Sequence, residues 1–496
     1  MNPNLSASRR AGIALVLGCL VVLWLSPTVS ADAAEKPNVV LMMADNVGYG
    51  DLGAYGGGVI RGMPTPRLDR LAAEGMQLTQ FLVEPSCTPS RAALMTGRYS
   101  VRSGLGTVIL GGSLNTLQDK EVTLAEIFKS RGYATGMVGK WHLGFDQQSW
   151  PTRQGFDEFH VGVIETSGNI LYREQMERAG LSDAEIEASV PGIFESDSEG
   201  NLRRVREYTL EYRRQIESDI AKASVDFIKR QAQRSEPLFL YVAWTHPHYP
   251  SLTAPEFTGK STHRYGDAIM ELDYRTGQVL DAIAEAGIED NTIVIWISDN
   301  SSTPTQSPFP DWGGSNAPFR GELGDPTEGS IRTVGMIKWP GRIQPGKNNG
   351  MFAIHDFVPT LASIVGGELP SDRPYDGVDQ SDFLLGRQQR SNREHLITFI
   401  DNEIAAVRWR HFRIYPKASR GSFNNPSQEG LLSLRVEANA PEMYNIEMDP
   451  REQINISNEN AWLLGPWFRI IAEYNQSLRE FPNPPGVTLT DTNVGR

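Results

Sequence analysis

The chain has 496 residues, 60 acidic against 47 basic, for a formal charge of −13 at pH 7. That balance excludes a protein built to hold a phosphate backbone, because nucleic-acid affinity rests on Lys and Arg neutralising phosphates. With 40% hydrophobic and 22% charged residues the composition is that of a folded globular protein, long enough for one large domain and a smaller one.

The first 33 residues read as a secretory signal: Arg9 and Arg10, an apolar run from Ala11 to Leu25, then small residues suited to cleavage near Ala31 or Ala33. The run is shorter than the roughly 20 residues of a membrane span, so no stable span is expected after cleavage, and an uncleaved anchor helix is the alternative. The protein is then exported, periplasmic or secreted. Of the two cysteines, Cys19 lies inside this segment, which leaves Cys87 alone. No intrachain disulfide can form. A leftover cysteine in an exported protein is a reactive group, an intermolecular bridge or a buried thiol acting as a small hydrophobe.

From residue 36 onward the pattern alternates strand and helix, which predicts an α/β sheet with helices on both faces. "PNVVLMMADN" (37–46) is a short apolar run ending in Asp45-Asn46, and "NTIVIWISDN" (291–300) repeats the design, ending in Asp299-Asn300. Both read as buried parallel strands. Ligands gather outside the carboxyl ends of such strands, so the two Asp-Asn pairs are candidates to meet there, although a single Asp at that place commonly caps the next turn.

In "SCTPSRAALMTGRY" (86–99) Pro89 is placed to open a helix that runs to Gly97. Cys87 then sits at or just before its N-terminus with Arg91 one turn in, where dipole and guanidinium both favour negative charge. "TLAEIFKSRGYATGMVGKWHLG" (123–144) reads as a helix and then a strand ending at Lys140 and His142, and "PLFLYVAWTHPHYP" (237–250) as a strand ending at His246 and His248. Residues 265 to 287 have helical periodicity through Ile269, Leu272, Val279, Leu280 and Ile283. Past about residue 388, "EHLITFI", "EIAAVRWRHFRIY" and "EMYNIEMD" suit a small antiparallel sheet, and residues 461–480 a closing helix. This divides the chain into a catalytic domain over 36–388 and a small C-terminal subdomain over 389–496.

Cys87-Thr88-Pro89-Ser90-Arg91, with Leu94, Thr96, Gly97 and Arg98 after it, resembles the hallmark of the sulfatases, in which Cys-x-Pro-x-Arg directs oxidation of the cysteine to formylglycine. The resemblance covers most of 36–345 and, more loosely, "MYNIEMDPREQINIS" near the C-terminus. It implies an alkaline-phosphatase-like α/β fold with a mostly parallel sheet, and hydrolysis of an aryl or carbohydrate sulfate ester. It further implies a formylglycine-generating enzyme as maturation partner. A hydrated aldehyde at residue 87 offers one hydroxyl to attack sulfur and a second to collapse and release sulfate. By the same resemblance a calcium ion is held by Asp45, Asn46, residue 87, Asp299 and Asn300. Arg91 steadies the diol and the carboxylates, Lys140 and His142 match the family's Lys-x-His, His142 is the base for aldehyde regeneration, and His248 rather than His246 donates a proton to the leaving oxygen.

The chain departs from the family at two places. Asn46 stands where a second Asp is usual, which keeps an oxygen but removes a charge. In "PFRGELGDPTEGSIR" (318–332) Leu323 stands where the family carries a sulfate-binding lysine. These departures keep two other readings open: a phosphonate monoester or phosphate diester hydrolase using the same aldehyde, and a degenerate relative that binds sulfated glycans without turnover. Specificity is expected in the insertion 165–208 and in the loop 302–319 with Trp312.

Overall fold

The protein is seen in a computed structural model that describes residues 36–110, 115–165, 170, 173–303, 313–420 and 434–487. The proposed signal segment and Trp312 lie outside the described residues. Among the described residues no helix is long and apolar enough to cross a membrane.

Fifteen strands build two sheets. They are β1 (Asn38–Asp45), β2 (Met76–Leu82), β3 (Ala134–Lys140), β4 (Glu158–Val163), β5 (Gly192–Ser196), β6 (Leu202–Glu207), β7 (Leu238–Pro247) and β8 (Thr292–Ser298). There follow β9 (Arg332–Thr333), β10 (Gly335–Lys338), β11 (Gly346–Ala353), β12 (His395–Ile400), β13 (Glu403–Trp409), β14 (Phe412–Arg420) and β15 (Leu434–Asn445). The large sheet runs β11-β2-β10-β8-β1-β7-β3-β4-β5-β6, with β9 on β2. Its centre is parallel: β1 pairs with both β8 and β7, and β7 with β3. Antiparallel strands enter only at β9, at β10 and at the β5–β6 hairpin.

The continuous apolar run of β1 is explained by burial on both faces. Val39, Leu41 and Met43 belong to one core, Val40, Met42 and Ala44 to the other. The helices Cys87–Thr96, Leu124–Ser130 and Phe357–Val365 cover the first face. Pro66–Glu74, Ile216–Gln231 and Arg264–Glu285 cover the second. This is the expected α/β architecture of the alkaline-phosphatase type.

The second sheet, β12-β13-β14-β15, is antiparallel throughout. "EIAAVRWRHFRIY", written as one segment in the sequence reading, is two strands folded at Arg410, which holds a left-handed φ of 55°. Helix Leu464–Glu480 closes over the sheet with Trp467, Ile470 and Tyr474, in a core that also takes Leu82, Tyr99 and Met351 from the main body. Buried Arg408 and Arg413 of this sheet both bond Glu328, on the segment that follows the 318–324 loop. A buried ion cluster of this kind fixes position more than it adds stability. It ties the small sheet to a loop of the site.

The insertion over 165–208 contains short helices and the β5–β6 hairpin, which extends the large sheet at its edge. The helix expected from Pro89 starts two residues earlier, with Cys87 as its first residue after Ser86.

Candidate active site

The in-register pairing of β1 with β8 carries Ala44 opposite Ser298, so the two Asp-Asn pairs leave the sheet side by side. Asn46 N donates to Asp299 Oδ1 (3.1 Å), and Asn300 Nδ2 donates to Asn46 Oδ1 (2.6 Å). Asn46 has a left-handed φ of 73°, a conformation that Asn adopts more readily than most residues. All four side chains are buried.

Cys87 Sγ faces this cluster, 3.5 Å from Asp45 Oδ1 and 3.7 Å from Asn46 Oδ1. Helical spacing brings Arg91 to the same place one turn later. Its Nε and Nη2 bond Asp299 Oδ2 at 3.1 and 2.8 Å, and its Nη1 donates to the carbonyl of Lys140 (2.8 Å). Lys140, at the end of β3, places Nζ 2.7 Å from Asp45 Oδ2. Residues from 45 to 300 therefore converge on one buried point. The bland readings, a capping Asp or a solvated Lys, do not describe side chains that are 1% exposed or less, as Asp45, Lys140 and Asp299 are.

The electrostatics follow from burial of two carboxyls beside two cations, Lys140 and Arg91. Burial raises the Asp45 carboxyl, but Lys140, His248 and Arg91 outweigh it and hold it well below the usual range. Burial and the adjacent Asp45 charge push Asp299 up, against Arg91 and Lys140. Burial first, then the Asp299 and Asp45 carboxylates, push the Cys87 thiol well above its ordinary pKa, against Lys140 and Arg91.

Three observations fit a hard cation here. Oxygens of Asp45 and Asp299 and the sulfur of Cys87 all lie within 4.8 Å of one another. Asn300 Oδ1 is buried with no hydrogen-bond partner among the described residues, and an unpaired buried carbonyl oxygen is costly unless something binds it. The donors other than Cys87 are oxygens, which calcium prefers.

The two histidine candidates separate clearly. His246 is locked in a buried polar network, with Nδ1 2.8 Å from Arg213 Nη2 and Nε2 3.3 Å from Glu271 Oε2. His248 is close enough to Asp45 and Lys140 to feel both charges. Its Nδ1 must donate to the Tyr249 carbonyl (2.7 Å), since a carbonyl only accepts. Burial lowers its pKa to about 4, with Asp45 opposing and Lys140 assisting.

His142 is also left-handed, φ 61°. Its Nε2 donates to the Ile109 carbonyl (2.7 Å), so Nδ1 carries the lone pair, and that atom is buried without a partner among the described residues. Burial, then Lys140, hold the ring neutral, well below the usual His pKa.

Sequence reasoning missed the braces. Tyr265 Oη lies 3.0 Å from the Asn46 carbonyl and 2.5 Å from Asp51 Oδ2, and shares its one proton between them. Asp51, fully buried, also accepts from Gly48 N (2.7 Å) and Ser315 N (2.8 Å) and pairs with Arg61. Ser298 Oγ accepts from Val47 N (2.9 Å). The Gly48-Tyr49-Gly50-Asp51 spacing, an Asp closing a tight turn, was the available signal for Asp51. Nothing in the sequence pointed to Tyr265, which lies 219 residues from Asn46. Leu323 is half-buried on a loop held against the site by Leu323 N to the Ser302 carbonyl (3.3 Å) and Gly324 N to the Pro85 carbonyl (2.8 Å).

The comparisons with known proteins agree with this geometry. Residues 37–367 match the family model described as Sulfatase. The steryl-sulfatase of Rattus norvegicus is 34% identical over 89% of this chain and 89% of its own length. Human arylsulfatase A is 34% identical over 85% of this chain and 84% of its own. The crystal structure of PsFucS1 sulfatase from Pseudoalteromonas sp. superposes with a TM-score of 0.84, at 30% identity, covering 91% of this chain and 92% of that one. The chain belongs to the sulfatase family and is a sulfuric ester hydrolase.

Proposed function

We propose that the protein is exported and hydrolyses an aryl or carbohydrate sulfate ester through a formylglycine made from Cys87, with calcium bound by Asp45, Asn46, residue 87, Asp299 and Asn300. The observation that carries this reading is the thiol itself: Cys87 Sγ sits against Asp45 and Asn46 at the first turn of a helix, where a hydrated aldehyde would present its oxygens to the same carboxylate cluster. Maturation then requires a formylglycine-generating enzyme. The hydrated aldehyde supplies the attacking oxygen. Calcium, when bound, lowers the pKa of that oxygen and draws charge from the sulfate.

The chain's own residues supply the rest. Lys140 Nζ and the Arg91 guanidinium place positive charge where sulfate oxygens gather, and preorganised cations of this kind stabilise charge that develops in the transition state. Arg91, bonded to Asp299 and to the Lys140 carbonyl, also fixes the spacing of the helix and two strand ends. His248, with Nδ1–H committed to Tyr249, takes its second proton on Nε2 once an anionic ester binds, and delivers it to the leaving oxygen. His142, whose Nδ1 has no hydrogen-bond partner among the described residues, accepts the proton that must leave residue 87 when sulfate departs.

Leu323 favours a second reading. With no lysine at that position, sulfate binding rests on Lys140 and Arg91, and a phosphonate monoester or phosphate diester becomes a competing substrate. The fold is shared with the phosphonate monoester hydrolase of Agrobacterium radiobacter, at a TM-score of 0.59 and 17% identity. Matched sulfate, phosphonate and phosphodiester esters of one phenol, assayed with the matured protein, separate the two. The proposal expects the sulfate to have the highest kcat/KM. A protein that binds all three and releases none would be a glycan-binding relative without turnover.

A further inference from the structure

A cleft of about 790 Å³ lies away from Cys87, between the β11 edge of the large sheet, the start of the 318–324 loop and the turn between β13 and β14. Its volume is within the range of sites that hold small organic ligands. Five arginines line it against two glutamates, on a chain whose overall charge is −13. Arg393 is held by buried Asp356 and Arg408 by buried Glu328. The remaining three face the cleft in different states. Arg390 is exposed and makes no ion pair among the described residues. Arg410 holds only an exposed pair with Glu394 at 2.8 Å, the kind worth little in water and readily exchanged. Arg332 shares Glu328 at 3.5 Å and sits over Phe319, its guanidinium carbon 4.3 Å from the ring centroid.

The neutral groups of the cleft narrow the ligand. Phe319 offers a partly exposed apolar ring beside a cation, and Asn348 and Asn349 line the wall. The side-chain oxygens of both are engaged, by Gly350 N and by Thr79 Oγ1, which leaves their amide N–H groups as what they can offer a ligand. Ring, amides and separated cations suit a saccharide with sulfate groups, whereas a dense polyphosphate needs a continuous basic surface. The loop that begins at Phe319 reaches the catalytic site at Leu323 and Gly324, so one chain segment borders both places.

We propose that this cleft binds a sulfated oligosaccharide at a site separate from the reacting ester, so that the enzyme's carbohydrate substrates are chains rather than single sugars. The choice of ligand rests on the proposed function, but the binding does not require turnover. The experiment therefore uses the Cys87→Ala protein, which has no side-chain group to oxidise to the aldehyde, and calorimetric titration with a sulfated galactan hexasaccharide, its desulfated form and a DNA duplex of equal charge. The proposal expects the sulfated chain to bind at least about tenfold more tightly than either control, and the added Arg390→Ala and Arg410→Ala substitutions to weaken it about tenfold with a flatter salt dependence. Both side chains are exposed, so folding is not at stake. Equal affinity for the desulfated chain or for DNA, or affinity unchanged in the double arginine variant, overturns it. Aryl sulfate turnover by the matured parent protein tests the catalytic reading independently.

Discussion

Lys140 and Asp45 form a buried ion pair at 2.7 Å that occupies one carboxylate oxygen and leaves the other facing Cys87 at 3.5 Å. The lysine thus serves both the charge balance of the cluster and the reacting group. Lys140→Met removes the charge and keeps most of the volume. The expected result is destabilisation of about 3 kcal/mol, from an uncompensated buried carboxylate, and a loss of kcat/KM of about a hundredfold. Because the cluster becomes more negative, the gain in Tm on adding calcium should exceed that of the parent protein. Thermal melts with calcium and with chelator check this, and an identical calcium response would show that Lys140 and the ion do not share the carboxylates.

Asn46 lies between Asn300 Nδ2 and Cys87 Sγ with a neutral oxygen where a charged one would fit. Asn46→Asp keeps the acceptor for Asn300 and adds a negative charge beside two carboxyls. Calcium affinity, measured by titration, is expected to rise by about tenfold, while the calcium-free protein loses stability through like-charge repulsion. No change in either quantity would remove Asn46 from the ligand set.

The two histidines at the end of β7, His246 within it and His248 just after it, should fail in different ways. His248→Ala is expected to slow poor leaving groups by about a hundredfold or more and activated aryl sulfates much less, as loss of a proton donor requires. His246→Gln breaks the contacts to Arg213 and Glu271, so its effect should appear in the melting temperature and fall equally on all substrates. Rates across a series of phenols of graded acidity decide between them.

Away from the site, His160 bridges Glu158 (2.9 Å) and Glu195 (2.6 Å) and so ties β4 to the β5–β6 hairpin. Hydrogen bonds from Glu158 and Glu195 raise its pKa to about 9 against burial. A raised pKa means the folded protein holds the proton more tightly, so the contribution is full below the unfolded value near 6.5 and is lost as pH rises through about 9. His160→Gln should therefore lower the Tm most in mildly acidic buffer, with the difference closing in alkaline buffer. A constant difference across that range would mean that the charge of His160 carries no part of the contact.

The parts of this molecule that the sequence made legible are those where pattern and chemistry coincide. β1 and β8 show as apolar runs because both faces of the central sheet are covered, and their Asp-Asn ends mark where ligands collect. Cys87 and Arg91 are one helical turn apart, and the turn places them. Tyr265 and Asp51 were harder for a physical reason. Tyr265 reaches Asn46 and Asp51 only through the packing of Arg264–Glu285 across the second face of the sheet, and no local periodicity encodes that. The basic cleft was equally hidden, because its arginines come from separate strands and turns of both sheets. The choice of His248 over His246 came from the family resemblance; the strand pattern alone did not separate them, because the side-chain contacts of His246 to Arg213 and Glu271 are made by distant segments.

The central claim is that residue 87 works as an aldehyde surrounded by Asp45, Asp299 and Lys140. It is tested most directly by mass spectrometry of the peptide spanning Ser86 to Arg91 from protein made in its native host, with sulfate release measured on the same sample. The account predicts a residue 87 lighter than cysteine by the difference between a thiol and an aldehyde, in a fraction that tracks specific activity across preparations, and no activity in Cys87→Ala. Full sulfate-ester hydrolysis by protein whose residue 87 is entirely unmodified cysteine would contradict it.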